Sequence, residues 1–245
     1  MYPRPQLKRE SFFLLNGQWD FAFDDENIGV LEGWSHTVRG DRKINVPFTY
    51  ETGKSGIGDE RPHGVIWYWK NITITNEFKK DQSIQINFEG CDYHLDLWVN
   101  GVYKGSHDGA YTRFAFELGK FAEGEEVLLS IRVEDPHSEE QVRGKQRWLS
   151  DNYGCWYVQT TGIWKDVWLE QVSDDYVEKI KITPDIYKKT VTIHTMCHSN
   201  KENLIMKSDV YFEGKFINSV SGKLEAGVCQ MDIDVYNKYV GEWGD

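Results

Sequence analysis

The chain has 245 residues, with 28 Lys and Arg against 39 Asp and Glu, for a formal net charge of −11. Hydrophobic residues at 40% and aromatics at 14% supply a real core, which excludes a disordered chain. The negative field opposes nucleic acid and anionic membranes as partners and is compatible with an uncharged ligand such as a sugar.

Strand signals come in quick succession. Residues 18–23 (QWDFAF), 65–74 (VIWYWKNITI), 83–88 (SIQINF) and 93–101 (YHLDLWVNG) are rich in aromatic and β-branched side chains. Several alternate apolar and polar positions, as a sheet with one wet face requires. Asn100 and Gly101 supply the two positive-φ positions of a type I′ turn and predict a tight hairpin. Further strands are expected at residues 127–133 (VLLSIRV) and 163–170 (IWKDVWLE). Many short strands separated by Gly, Asp and Pro predict an all-β sandwich. Two connections, residues 48–63 and 134–154, are long for plain turns, and their Trp, Arg and Gly content points to function.

Composition shifts after Val172, where aromatic density falls. A boundary is placed between Ser173 and Asp174, dividing a domain of residues 1–173 from one of residues 174–245. Strands are expected in the second domain near residues 205–212, 216–220 and 228–235. It is small for an immunoglobulin-like sandwich of about 100 residues and is expected to lack a final strand. Unpaired strand edges would then favour self-association, with weak order near Asp245.

The cysteines, Cys91, Cys155, Cys197 and Cys229, lie far apart, which suits reduced thiols better than a zinc site or a disulfide framework. The start, MYPRPQLKRE, lacks the apolar core of a signal peptide, and no apolar run is long enough to span a bilayer. A soluble cytoplasmic protein is expected.

Five segments carry a family likeness: residues 15–24 (LNGQWDFAFD), 44–52 (INVPFTYET) with 55–58 (SGIG), 65–74, 88–118 (FEGCDYHLDLWVNGVYKGSHDGAYTRFAFEL), and 143–148 (RGKQRW) followed by 156–170 (WYVQTTGIWKDVWLE). In this order they resemble the amino-terminal part of glycoside hydrolase family 2, which includes β-galactosidases and β-glucuronidases. The resemblance implies a jelly-roll sugar-binding domain, then an immunoglobulin-like β-sandwich, then a (β/α)₈ barrel that holds the catalytic residues. Such a barrel takes about 250 residues, so the chain is expected to be an amino-terminal fragment. Its implied role is to shape the entrance for a β-linked glycoside and support the barrel.

Retaining glycosidases use two carboxyl groups about 5 to 5.5 Å apart. None of the 39 acidic residues sits in the family's catalytic context. Glu139 and Glu140 read as a solvated loop face, and the chain alone is expected to hydrolyse nothing. The alternative is a stand-alone carbohydrate-binding module. Family barrels often bind Mg²⁺, whose ligands are not expected here, and no cofactor is assigned to this chain.

The resemblance also implies rim residues. The family often places an aspartate just before the Gly-Ile of the last strand, and that position is Trp156 here. Trp156 with Tyr157 either offers a flat apolar face to a pyranose ring or braces the strand. In residues 142–148, Arg143, Lys145, Gln146 and Arg147 are donors and Trp148 an aromatic face, for sugar or for docking the barrel; docking is favoured. Residues 58–64 (GDERPHG) bring Arg61 towards the rim. His94 reads as a structural histidine, and residues 107–114 as architecture, although His107 with Asp108 could hold an ion.

Overall fold

In the computed structural model, which describes residues 2–136 and 140–235, strands dominate. They are β1 (Phe12–Leu14), β2 (Gly17–Phe23), β3 (Arg42–Val46), β4 (Val65–Thr73), β5 (Ser83–Phe88), β6 (Cys91–Asp92), β7 (His94–Val99), β8 (Val102–Asp108), β9 (Phe114–Gly119) and β10 (Glu126–Glu134). After the long connection come β11 (Gly162–Ile163), β12 (Val167–Val172), β13 (Tyr176–Asp185), β14 (Thr190–His198), β15 (Ile205–Phe212), β16 (Lys215–Lys223) and β17 (Val228–Asp234). The chain forms two compact units. One is Arg9–Gln171; the other joins the amino-terminal segment through Lys8 to the chain from Val172 onward.

The larger unit is a jelly-roll sandwich. Its sheets are ordered β3-β2-β4-β10-β7-β8 and β1-β12-β5-β9, with a short β11-β6 ladder. Neighbours distant in sequence, such as β1 beside β12, mark the crossovers of this architecture. Alternate residues of each strand fill the space between sheets: Trp19 and Phe21 of β2, Ile66 and Tyr68 of β4, Leu129 and Ile131 of β10, Ile84 and Ile86 of β5. The hairpin is formed as expected, with Val99 opposite Val102 and positive φ at Asn100 (49°) and Gly101 (79°).

Three expectations need correction. The first four residues after Val65 are as buried as Val65 itself, so this face of the sheet is not wet. Trp67 and Trp69 form a second apolar cluster on the outside, against Trp34, Val38, Trp98 and Leu128. Asp24 closes it, accepting from Trp67 Nε1 (3.0 Å) and from the Ile28 (2.8 Å) and Gly29 (2.9 Å) amides. Secondly, the stretch read as one strand over residues 163–170 is two, β11 and β12, broken at Trp164, Lys165 and Asp166. The Trp164 indole turns aside to donate to the Ala110 carbonyl (2.9 Å). Thirdly, the larger unit has strands beyond those expected, namely β1, β3, β6 and β9. In β3 the exposed Arg42 and Lys43 mask the buried Ile44 and Val46.

The second unit has the sheets β13-β14-β17 and β15-β16, a small immunoglobulin-like sandwich. Its buried apolar side chains include Ile193, Cys229, Met231 and Ile233. All four cysteines are free thiols. Among the described residues no helix is long and apolar enough to cross a membrane. The expectations for Glu139 and for order near Asp245 fall outside the described residues.

Candidate functional site

The two long connections of the larger unit come together. Residues 50–63 fold around Tyr50, whose carbonyl accepts from the Gly58 (2.9 Å) and Asp59 (3.2 Å) amides. Its hydroxyl donates to the Arg61 carbonyl (3.2 Å) and accepts from the His63 amide (3.1 Å). Burial pushes that hydroxyl well above its ordinary pKa, so it stays a neutral donor. The His63 ring stacks on Phe23 at 3.6 Å and meets Asp25 through Nδ1 at 2.8 Å. Arg61 points outward and grips Asp59 in a fork (2.9 and 2.5 Å). That hydrogen bond holds the Asp59 carboxyl far below the usual carboxylate range.

The second connection is pinned from inside. Gln146 is buried and used at both ends: Nε2 donates to Asp92 Oδ2 (2.7 Å) and Oε1 accepts from the Thr160 amide (3.0 Å). Backbone bonds from Tyr157 to Lys145 (2.9 Å) and from Arg147 to Tyr157 (2.6 Å) fold residues 145–157 into a double-backed arm. Gly144, at φ 62°, lies against Tyr111, whose hydroxyl would stand 2.9 Å from any Cβ there.

The two connections are joined by a link unseen in the sequence. Arg147 is buried and donates to Glu60 Oε2 (2.8 Å) and Asn152 Oδ1 (3.0 Å). The Gln159 amide reaches the Glu60 carbonyl (3.1 Å). Arg147→Met, which keeps the apolar stem, is expected to destabilise the unit by about 1–2 kcal/mol, the loss of two charge-assisted hydrogen bonds. Urea denaturation checks this, and an unchanged midpoint would mean that the connections are held together by other contacts.

The outer side of the arm is aromatic. Trp148 is 52% exposed and Tyr157 60% exposed. Trp156 is half-buried behind Trp148, with ring centroids 4.8 Å apart in a T-shaped pair, and Tyr153 completes the group at 5.5 Å from Trp148. Arg143 lies over the Trp148 face at 5.8 Å, and Lys145 is exposed. Of the anticipated rim residues, Arg143, Lys145, Trp148, Trp156 and Tyr157 therefore share one arm. Arg61 stands on the neighbouring connection, and Gln146 is an internal fastener. Flat rings beside forked donors suit a ligand with apolar faces and a belt of hydroxyls.

His94 is elsewhere, on β7. Its Nδ1 meets Asp108 at 2.8 Å and its Nε2 lies 3.4 Å from Asp96. Partial burial pulls its pKa down, but these carboxylates outweigh it and leave the imidazole raised. Strand pairing brings His94 opposite Asp108, a contact that sequence spacing could not reveal. His107 stacks on Phe114 at 3.8 Å and reaches Thr112. Among the described residues no three His, Cys, Asp or Glu side chains converge on one ion position.

The jelly roll thus presents an exposed aromatic arm, with Arg143 over the Trp148 ring, on one of its two long connections. The chain belongs to glycosyl hydrolase family 2: the model of the family's sugar-binding domain matches residues 12–173. A β-glucuronidase of Paenibacillus borealis is 23% identical over 246 residues, covering 95% of this chain and 41% of the relative. A β-galactosidase of Thermoanaerobacterium thermosulfurigenes is 27% identical over 213 residues, covering 85% of this chain and 28% of the relative. The chain thus spans well under half the length of these two relatives. A Ruminococcus gnavus β-glucuronidase solved with D-glucuronic acid has the same fold, with a TM-score of 0.71 at 16% identity over 97% of this chain and 42% of that structure.

Proposed function

We propose that this chain is the non-catalytic, substrate-shaping amino-terminal part of a family 2 glycosidase of the β-glucuronidase or β-galactosidase type. The carrying observation is the arm: Trp148 and Tyr157 are exposed, although the backbone beneath them is fastened by the buried Gln146 and Arg147. Holding aromatic side chains in water on a rigid support costs stability that a ligand or a docked domain would offset. Arg143, Lys145 and Arg61 add cationic donors suited to sugar hydroxyls or to a uronic acid carboxylate. In this role the arm tunes which sugar enters, and bond cleavage belongs to a catalytic barrel supplied by a longer protein. Any magnesium requirement is assigned to that barrel. The four free thiols favour the reducing cytoplasm.

A second reading, direct glycan capture without catalysis, is favoured by the exposed faces themselves. Tryptophan fluorescence titrated with glucuronic acid, galactose and β-linked oligosaccharides tests both. A saturable change that disappears in Trp148→Ala is expected if the arm touches sugar, and a flat trace would restrict the arm to domain docking. The purified chain is expected to leave chromogenic β-glucuronides and β-galactosides intact. Cleavage by the chain alone would overturn the non-catalytic assignment.

A further inference from the structure

Under the arm, two buried carboxyl groups, Glu51 and Asp92, each lie within reach of the charge of a third, Asp135. Glu51 is 4% exposed, Asp92 2% and Asp135 1%. They come from three places in the chain: Glu51 from the connection after β3, Asp92 from β6, and Asp135 from the residue just after β10. Asp135 is well supplied with donors, accepting from Thr161 Oγ1 (3.0 Å) and from the Gln141 amide. Asp92 Oδ2 accepts from Gln146 (2.7 Å), but its Oδ1 has no hydrogen-bond partner, and neither oxygen of Glu51 has one. The Thr49 and Thr161 hydroxyls and the backbone amide of Glu51 lie beside its carboxyl without closing a bond of good geometry, and burial outweighs them.

The titratable neighbours make charge still less welcome. Asp135 repels both Glu51 and Asp92. Tyr50 and Tyr68 face Glu51, and Cys91 faces Asp92 and Asp135. His63 contributes its backbone amide to Tyr50, while its ring is turned to Phe23 and Asp25. The leading influences on Glu51 and Asp92 are burial, the charge of Asp135 and neutral hydrogen-bond donors, with no cation among them. A carboxylate stripped of water and lacking donors takes up a proton, which removes the charge and creates the missing donor. A shared metal ion is the other way to satisfy such oxygens, but no three ligating side chains converge among the described residues.

We propose that Glu51 and Asp92 are held as neutral carboxylic acids and that, with Asp135, they form a proton-dependent latch fastening residues 49–63 and 140–161 to the sandwich. Burial, with the charge of Asp135 adding to it, raises both groups to about 7. Their ordinary values are 4.5 for Glu51 and 3.8 for Asp92. Folded pKa values above the unfolded ones mean that the closed state binds more protons. The stabilisation is complete below about pH 4 and is lost as pH rises through about 7. Between pH 5 and pH 7 each carboxyl shifts the closed-to-open ratio by up to about tenfold per pH unit, easing as pH nears 7, or about 50-fold across the window.

Hydrogen exchange on the whole chain reads this directly, once corrected for the intrinsic pH dependence of exchange. Protection of the Arg147, Tyr157 and Thr160 amides is expected to fall steeply from pH 5 to pH 7, while amides in β10 stay protected. Glu51→Gln and Asp92→Asn are each expected to flatten that fall by about 50-fold. A pH-independent wild type, or variants with the wild-type slope, would overturn the latch. So would protection at pH 8 that calcium chloride restores and a chelator removes, since a cation and not a proton would then be the fastener. Should a variant misfold, infrared difference spectra of the wild type decide: a protonated-carboxyl band that persists at pH 6 and is lost by pH 8 is required, and its absence at pH 6 refutes the proposal. The result does not depend on whether the arm binds sugar.

Discussion

Gly162→Ala is expected to lower the melting temperature of the jelly-roll unit by about 5–20 °C. The residue sits at φ 92°, and a Cβ there would stand 2.1 Å from the Tyr68 hydroxyl and 3.0 Å from Ile66 Cδ1. Tyr68 cannot retreat. It is fully buried, with Phe21 at 5.2 Å and Trp19 at 6.5 Å around its ring, and its hydroxyl accepts from the Ile163 amide (3.3 Å). Backbone strain of about 1–3 kcal/mol adds to an overpacking cost of about 1–3 kcal/mol, and each kcal/mol moves the midpoint by about 2–4 °C in a unit of this size. Gly17→Ala is the control: φ is 102°, yet nothing lies within 4 Å of its Cβ position, so strain acts alone. Equal shifts in the two variants would show that the clash with Tyr68 is not the operative cost. The glycine of the TTGIW motif is thus explained by close approach as much as by backbone freedom.

The second large effect is expected on the opposite side of the same sheet. Trp67→Ala should cost about 3–5 kcal/mol, the range for deleting a large aromatic from a core. Its ring lies 5.8 Å from Trp69 and 5.3 Å from Trp98 in stacked pairs, with Trp34 at 6.0 Å. The variant also strips Asp24 of its indole donor, so residues 28–36, which cover these rings, should lose exchange protection. Urea denaturation followed by circular dichroism measures the change. Trp148→Ala, on the exposed arm, should stay within about 0.5 kcal/mol of wild type. A Trp67 variant no less stable than the Trp148 variant would mean that the outer cluster contributes nothing to the fold.

Much of the sandwich was legible because strand chemistry is local. The strand read at residues 83–88 was found over the same residues, and the Asn-Gly turn forms as its positive-φ preference requires. The strand at residues 205–212 alternates exposed and half-buried positions along its whole length. The failures are equally physical. In β4 apolar character on both faces hides the alternation, and only the loop that folds over Trp67 and Trp69 explains it. In β3 two charged residues outweigh two buried ones in a short window. For the candidate site, residue type located the arm, because aromatics, glycine and donors cluster within a few positions of one another. Its fasteners were invisible, since Arg147 meets Glu60 across 87 positions and Gln146 meets Asp92 across 54.

By itself, the order of residues determined that this protein is built of strands, where they turn, and which family's pattern they follow, since these depend on side-chain shape and backbone preference over a few neighbouring positions. Tertiary structure alone decided which polar groups are deprived of water and which acids lie beside one another. Glu51, Asp92 and Asp135 are ordinary carboxylates in the sequence. Their burial, and the approach of Glu51 and Asp92 to Asp135, depend on segments distant in sequence, and desolvation is a property of the place where they fold.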